Sequence, residues 1–250
     1  MIFELKDTAK AEAFFTEHKD SLIWTCLQGM MGGKVYVTDT VSPRSAMAFI
    51  AEYAFLGGEP DRELAAFKPG ATVAMVPQNG RWAALIEEVW PGAYRETRYA
   101  IKKDTRFDRG RLEAIVASLP AGYGIKRLDS TLYDACLESK QFEDSVMHFE
   151  SKKQFLDMGR GFAVMKDGRP VSVASSYTVY RGGLEVQIAT EETERHRGLA
   201  SAAGAALILS CLDDGLYPSW DAANRGSLRL AQRLGYELDR EYTAYWLSDE

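Results

Sequence analysis

Cysteine and histidine are scarce in this chain. Its 250 residues include Cys26, Cys136 and Cys211, an odd number, far apart and without C-x-x-C spacing. That excludes a disulfide framework or a cysteine-ligated zinc site, and buried cytosolic thiols are expected instead. The histidines are His18, His148 and His196, with no H-E-x-x-H among them, so no catalytic metal is expected. Long hydrophobic runs are missing too. Ala202 to Leu212 is the best candidate and falls short of the roughly 20 residues a membrane span requires. The start, MIFELKDTAKAEAFF, carries acids and no cleavable apolar core, so a secretory leader is not expected and a cytoplasmic location is. There is also no basic excess. The formal net charge is −6; residues 121–250 hold 15 basic and 20 acidic side chains (15 − 20 = −5) and residues 1–120 hold 15 and 16 (−1). Such a chain is a poor general binder of nucleic acid, and its acidic second half suits a cationic ligand.

What is present is an ordinary globular composition, 46% hydrophobic and 26% charged, long enough for one large or two modest domains. Short helices are expected at residues 6–18 and in DRELAAF, RWAALIEEVWP and Asp108–Leu119. Strands are expected at Ser21–Cys26, Lys34–Thr38, Ser45–Phe55, Ala71–Pro77 and Tyr94–Lys102. Gly29, Gly32, Gly33 and Lys34 imitate a phosphate loop, but Val35 follows the lysine and a strand follows that, so this is a turn. Pro120-Ala121-Gly122 marks a boundary between an N-terminal α/β part, 1–120, and a second domain, 121–250. From Tyr123 the order is strand, two helices, three strands, a long helix, the strand Tyr217–Asp221, the helix Asn224–Leu234, and final strand structure over Tyr236–Leu247.

The stretch Glu185–Ala200, EVQIATEETERHRGLA, organises that second domain. Alternation makes Glu185–Thr190 a strand. A polar loop follows, then Arg195-His196-Arg197-Gly198-Leu199-Ala200 leading into the buried helix SAAGAALILSCL. A helix start leaves N–H groups without intrahelical partners and carries about half a positive charge. Gly198 lets a ligand approach the backbone, Ala200 and Ser201 are small, and Arg195 and Arg197 add charge. The chemistry is that of a phosphate or pyrophosphate site.

The spacing Arg195-x-x-Gly198-x-Ala200, with WDAANRGSLRLAQRLGYELDREYTAYWL following from Trp220, resembles the GNAT acetyltransferase superfamily. The pairing of IAT…RHRGLA with WDAAN..S..LA..LGY..DREYTAY is similar to the subfamily that includes the zwittermicin A resistance acetyltransferase. The resemblance implies an α/β fold with a mixed, splayed sheet flanked by helices over about 130 residues, preceded here by an N-terminal α/β cap domain that is structural, one wall of the substrate pocket, or a degenerate GNAT-like copy of the second domain without a visible repeat. It implies acetyl-CoA as co-substrate: main-chain amides from Arg195 through His196, Arg197, Gly198, Leu199 and Ala200 to Ser201 on the pyrophosphate, the backbone of Ile188 and Thr190 along the pantetheine like an added strand, and Asn224, with Ser227, beside it. Asn224 is equally suited to cap the helix it precedes.

Acetyl transfer to an amine requires a held thioester, a neutral amine and a stabilised oxyanion. A typical amine has a pKa near about 10, so a base or water chain is needed. Glu185 is the first candidate, since several family members carry a base or water-positioning carboxylate early on this strand; Asp221 is the second. Many members have a tyrosine seven residues after the asparagine to protonate the leaving thiolate. Here Ala231 stands there, leaving Tyr245, water or unaided departure. The expected function is N-acetylation of a small cationic amine by direct attack in a ternary complex, and a homodimer is possible. The competing expectation is a non-catalytic acyl-CoA-binding sensor or scaffold.

Overall fold

A computed structural model describes residues 1–247. In chain order its elements are β1 (Phe3–Glu4), α1 (Ser21–Leu27), β2 (Lys34–Val37), β3 (Ser45–Ile50), β4 (Tyr53–Gly58), α2 (Arg62–Ala66), β5 (Ala74–Pro77), α3 (Gly80–Val89), β6 (Tyr94–Ile101), α4 (Arg109–Ala117), β7 (Gly124–Arg127), α5 (Ser130–Leu137), α6 (Lys152–Met158), β8 (Gly161–Lys166), β9 (Arg169–Tyr180), β10 (Gly183–Thr190), α7 (Leu199–Asp213), β11 (Tyr217–Ser219), β12 (Asp221–Ala222), α8 (Arg225–Leu234) and β13 (Leu238–Trp246), with 3-10 turns at Thr8–Phe15, Glu143–Ser145 and Glu192–Glu194. Among the described residues no helix is long and apolar enough to cross a membrane.

The described residues pack as two compact units, residues 1–98 with 241–247, and residues 99–240. The seam expected at Pro120–Gly122 therefore lies inside the second unit, because α4 packs on α7.

In the first unit the strand order is β1-β2-β3-β4-β5-β13-β6. Neighbours are antiparallel through β4, β4 and β5 are parallel, and β13 is antiparallel to β5. One face of this sheet buries Met47, Leu56 and Met75 against Trp82 and Ile86 of α3. Two local expectations fail here. Ser21–Cys26 is helical, because the Asp20 carboxylate accepts the Leu22 N–H at 2.9 Å and caps the turn. Ser45–Phe55 is not one strand but the β3–β4 hairpin, turned at Ala51 with φ of 53°.

The second unit holds the five-stranded sheet β11-β10-β9-β8-β7, which is antiparallel except for the parallel pair β10–β11. Helix α7 is apolar nearly all round and accordingly buried, from Leu199 to Cys211. Its small residues allow close approach. A Cβ on Gly204 would meet Leu234 Cδ1 of α8 at 2.9 Å and Ile188 Cδ1 of β10 at 3.5 Å. That packing ties α8, and Asn224 ahead of it, to the strand that leads into the loop. The three cysteines are free and buried, and burial pushes the thiols up, Cys136 to about 11 and Cys211 to about 12, so they are inert packing groups.

Candidate functional site

Strand β10 is paired with β9 along its length, from Gly183↔Tyr180 to Thr190↔Ser172. On its other side β11 accompanies it only over Gly183–Glu185. After Ser219 the chain turns away through Trp220, and Asp221–Ala222 pairs instead with Ala100 and Tyr99 of β6. The expected strand Tyr217–Asp221 is thus divided, and Val186–Thr190 is left with an open edge. The alternation along that edge is set by the Glu191 N–H, which donates to Val171 O at 2.9 Å. Residues of the same parity turn their main-chain groups toward β9, and Ile188 and Thr190 turn theirs outward. The Ile188 side chain meanwhile faces α7, and Thr190 Oγ1 lies 2.7 Å from Ser172 Oγ.

The open edge ends in the loop before α7. Two residues there have left-handed backbone, His196 with φ of 64° and Gly198 with φ of 81°. Gly198 is the N-cap of α7 with no side-chain cap, and the first helical bond runs from Ala202 N–H to Gly198 O at 3.1 Å. Among the described residues the N–H groups of 196–201 find no acceptor, as a helix start requires. A Cβ on Gly198 would meet nothing within 4 Å. Arg195 departs from expectation: its N–H donates to Glu192 O at 3.3 Å, so its amide is already committed and only its side chain, 3.7 Å from Glu192, faces solvent. His196 is exposed.

At the fork of the sheet the sequence-based candidates meet a residue that sequence reasoning missed. Glu185 is only 4% exposed. Its Oε1 accepts the Asp221 N–H at 2.5 Å, and Oε2 lies 3.8 Å from Lys103 Nζ, which donates to Trp220 O at 3.1 Å. Lys103 follows β6 in a charged segment, Lys102-Lys103-Asp104, with no spacing to distinguish it. Asn224 caps α8 through its side-chain oxygen, which accepts the N–H of Gly226 at 2.9 Å and of Ser227 at 3.0 Å. Ser227 Oγ takes the Trp220 indole N–H at 3.1 Å, and Trp220 itself is core. Ala231 is fully buried. Tyr245 belongs to the first unit's core, where burial and then Glu87, the acceptor of its O–H at 2.7 Å, push its phenol up to about 12. On β9, Thr178 stands opposite Glu185 and Ser175 opposite Gln187. Both hydroxyl oxygens are buried and find no hydrogen-bond partner among the described residues.

An open-edged strand running into bare helix-start amides is a geometry suited to an extended ligand that ends in phosphate. Residues 12–245 match the GNAT acetyltransferase family, and the chain belongs to that family and is an N-acetyltransferase. A GCN5-related N-acetyltransferase-like protein from Streptococcus suis is 45% identical and superposes with a TM-score of 0.92 over 96% of this chain and 98% of its own. The uncharacterized N-acetyltransferase YdfB of Bacillus subtilis is 25% identical over 249 residues, 93% of this chain and 92% of its own length. A tandem GNAT protein from the clavulanic acid biosynthesis pathway shares the fold at a TM-score of 0.60 and 13% identity, over 100% of this chain and 99% of its own. The expected splayed α/β fold is borne out.

Proposed function

We propose that the chain acetylates a primary amine of a small cationic molecule, using acetyl-CoA as co-substrate and direct attack in a ternary complex. The observation that carries this is the run of main-chain N–H groups from His196 to Ser201, with Gly198 in left-handed backbone among them and open space where a side chain would stand. These residues fit the pyrophosphate of acetyl-CoA, and the outward main chain of Ile188 and Thr190 fits the amides of its pantetheine arm as strand addition does. When bound, acetyl-CoA supplies an acetyl group already activated as a thioester.

The remaining work belongs to this chain's own side chains. Arg195 and Arg197 add positive charge around the amides. Asn224, with its oxygen used by the cap, retains an amide NH2 for the ligand. Glu185 orders a water or takes the amine proton at the fork, and Asp221 is the second carboxylate there. The charge of −5 over residues 121–250 favours a cationic acceptor.

Calorimetric titration with acetyl-CoA tests the binding half; absence of heat at millimolar ligand removes the proposal. Incubation with acetyl-CoA and a panel of polyamines, aminoglycosides and amino acids tests the chemical half. Free thiol above the enzyme-free control is expected, and binding without thiol release would favour the non-catalytic acyl-CoA sensor, for which the alanine at 231 is the motivating feature.

A further inference from the structure

We propose that Glu194, Tyr123 and Lys166 are positioning residues that preset the amide loop of residues 196–201, an inference that rests on that loop binding acetyl-CoA. The loop sequence poses a problem. Glu191, Glu192 and Glu194 stand directly before a site that should attract anions. The structure resolves it by direction. Glu194 is the buried member, 5% exposed. Its Oε2 accepts the Tyr123 O–H at 2.5 Å, and its Oε1 lies 2.6 Å from Lys166 Nζ. Tyr123 immediately precedes β7 and Lys166 ends β8, so the loop is seated on the other side of the same sheet. Glu191 makes a parallel tie to Arg169, across the Asp167-Gly168 turn of that hairpin. Glu192 is the exposed one, its side chain turned to solvent.

A buried carboxylate is costly unless paired and hydrogen-bonded, and this one is both. Its charge is shared among Tyr123, Lys166 and Arg197. The seat also has a lever. Arg197 Nε lies 3.3 Å from Glu194 Oε2, while the Arg197 side chain is 54% exposed. Arg197 therefore joins the fixed carboxylate to the solvent side of the loop. It lies between the two left-handed residues, His196 and Gly198. A non-glycine residue at φ of 64° persists only where its surroundings over-determine it, and the Glu194 seat is the constraint next to it in the chain.

The test uses the whole chain and two measurements: hydrogen–deuterium exchange of the ligand-free protein, and calorimetric affinity for acetyl-CoA. Glu194→Gln and Tyr123→Phe should speed exchange of the hydrogen-bonded amides that flank the loop, Glu191, Glu194, Arg195 and Ala202, while leaving β8 and β9 protected, and should weaken acetyl-CoA roughly tenfold. Lys166→Met should do the same and Lys166→Arg should restore most of the affinity, a rescue that a general loss of packing would not show. If Glu194→Gln fails to fold, Tyr123→Phe and the Lys166 pair decide. Wild-type exchange and affinity in the folded variants overturn the seat. So does a loss of protection spread evenly over the sheet. Should the wild type itself fail to bind acetyl-CoA, the functional reading falls, while the exchange comparison still judges the seat.

Discussion

Replacing Gly198 separates backbone strain from ligand space. Its φ is 81°, a region that costs an L-residue about 1–2 kcal/mol, and more for a β-branched one. A Cβ there touches no protein atom within 4 Å, so Gly198→Val adds strain without a clash and should fold. A penalty of this size lowers the melting temperature by roughly 2–8 °C for a chain of this length. The ligand sees more than strain, because the new side chain stands over the amides that the pyrophosphate needs. Each hydrogen bond to a charged group is worth about 1.5–3 kcal/mol, so displacing even one weakens acetyl-CoA by a factor of about 10 to 150. Gly215 supplies the control. It lies just past the other end of α7, with φ of 67° and equally open surroundings. Gly215→Val should cost comparable stability and leave affinity unchanged. Melting curves and calorimetry on the two variants give the comparison. If Gly198→Val bound acetyl-CoA like the wild type, or both variants lost affinity equally, the placement of the pyrophosphate at this loop would be wrong.

Four further outcomes are expected. Glu185→Gln keeps an acceptor for the Asp221 N–H but removes the charge, so turnover should fall about 100-fold or more with acetyl-CoA affinity retained; turnover within about twofold of wild type would remove Glu185 as the base. Asn224→Ala should cost about 1 kcal/mol of stability through the lost cap, whereas Asn224→Asp should keep the cap and still weaken acetyl-CoA by losing the NH2 donor; calorimetry and melting separate the two roles. Tyr245→Phe should leave turnover unchanged and cost about 1 kcal/mol, and a collapse of turnover would instead restore it as the general acid. The Lys166 and Tyr123 hydrogen bonds hold the Glu194 carboxyl below its ordinary 4.5 against the opposing effect of burial. The stability it confers is complete above that value and lost as pH falls through the lowered one, so the melting gap between wild type and Glu194→Gln should be flat near neutrality and close in acid below about pH 4.5.

The second unit was far more legible in the sequence than the first. Glu185–Ala200 announces itself because strand alternation, a basic glycine turn and an all-apolar helix are local signals, and the protein has that strand, loop and helix. Ser21–Cys26 misled because β-branched Ile23 and Thr25 imitate a strand, while one aspartate ahead of them decides for helix. The hairpin at Ala51–Glu52 carries no glycine, asparagine or proline, so nothing in the sequence marks it. Lys103 was invisible for a different reason. Its partners lie at 185 and 220, and a pairing over such separations leaves no spacing to find. The missing tyrosine at 231 was legible, but the burial of Tyr245 in another core was not.

Lys103 also changes what Glu185 is for. A sheet that forks must orphan main-chain groups where the ladder stops, and buried orphans are costly. Here the β10–β11 ladder stops at Glu185↔Ser219, and beyond Trp220 the chain pairs with β6 through Asp221–Ala222. The Glu185 carboxylate takes the Asp221 N–H, and the Lys103 ammonium meets the Trp220 carbonyl. Two side chains of opposite charge, 3.8 Å apart, thus replace the ladder at the fork and neutralise each other while buried. Removing one partner leaves the other charge uncompensated. Glu185→Ala should therefore destabilise the fold by several kcal/mol, about 3–5 for a fully buried pair. A dead Glu185→Ala enzyme would say nothing about proton transfer; the isosteric glutamine still accepts from Asp221 but also leaves the Lys103 charge uncompensated, so Glu185→Gln read in a Lys103→Met background is what separates holding the fork open from acting on the amine within it.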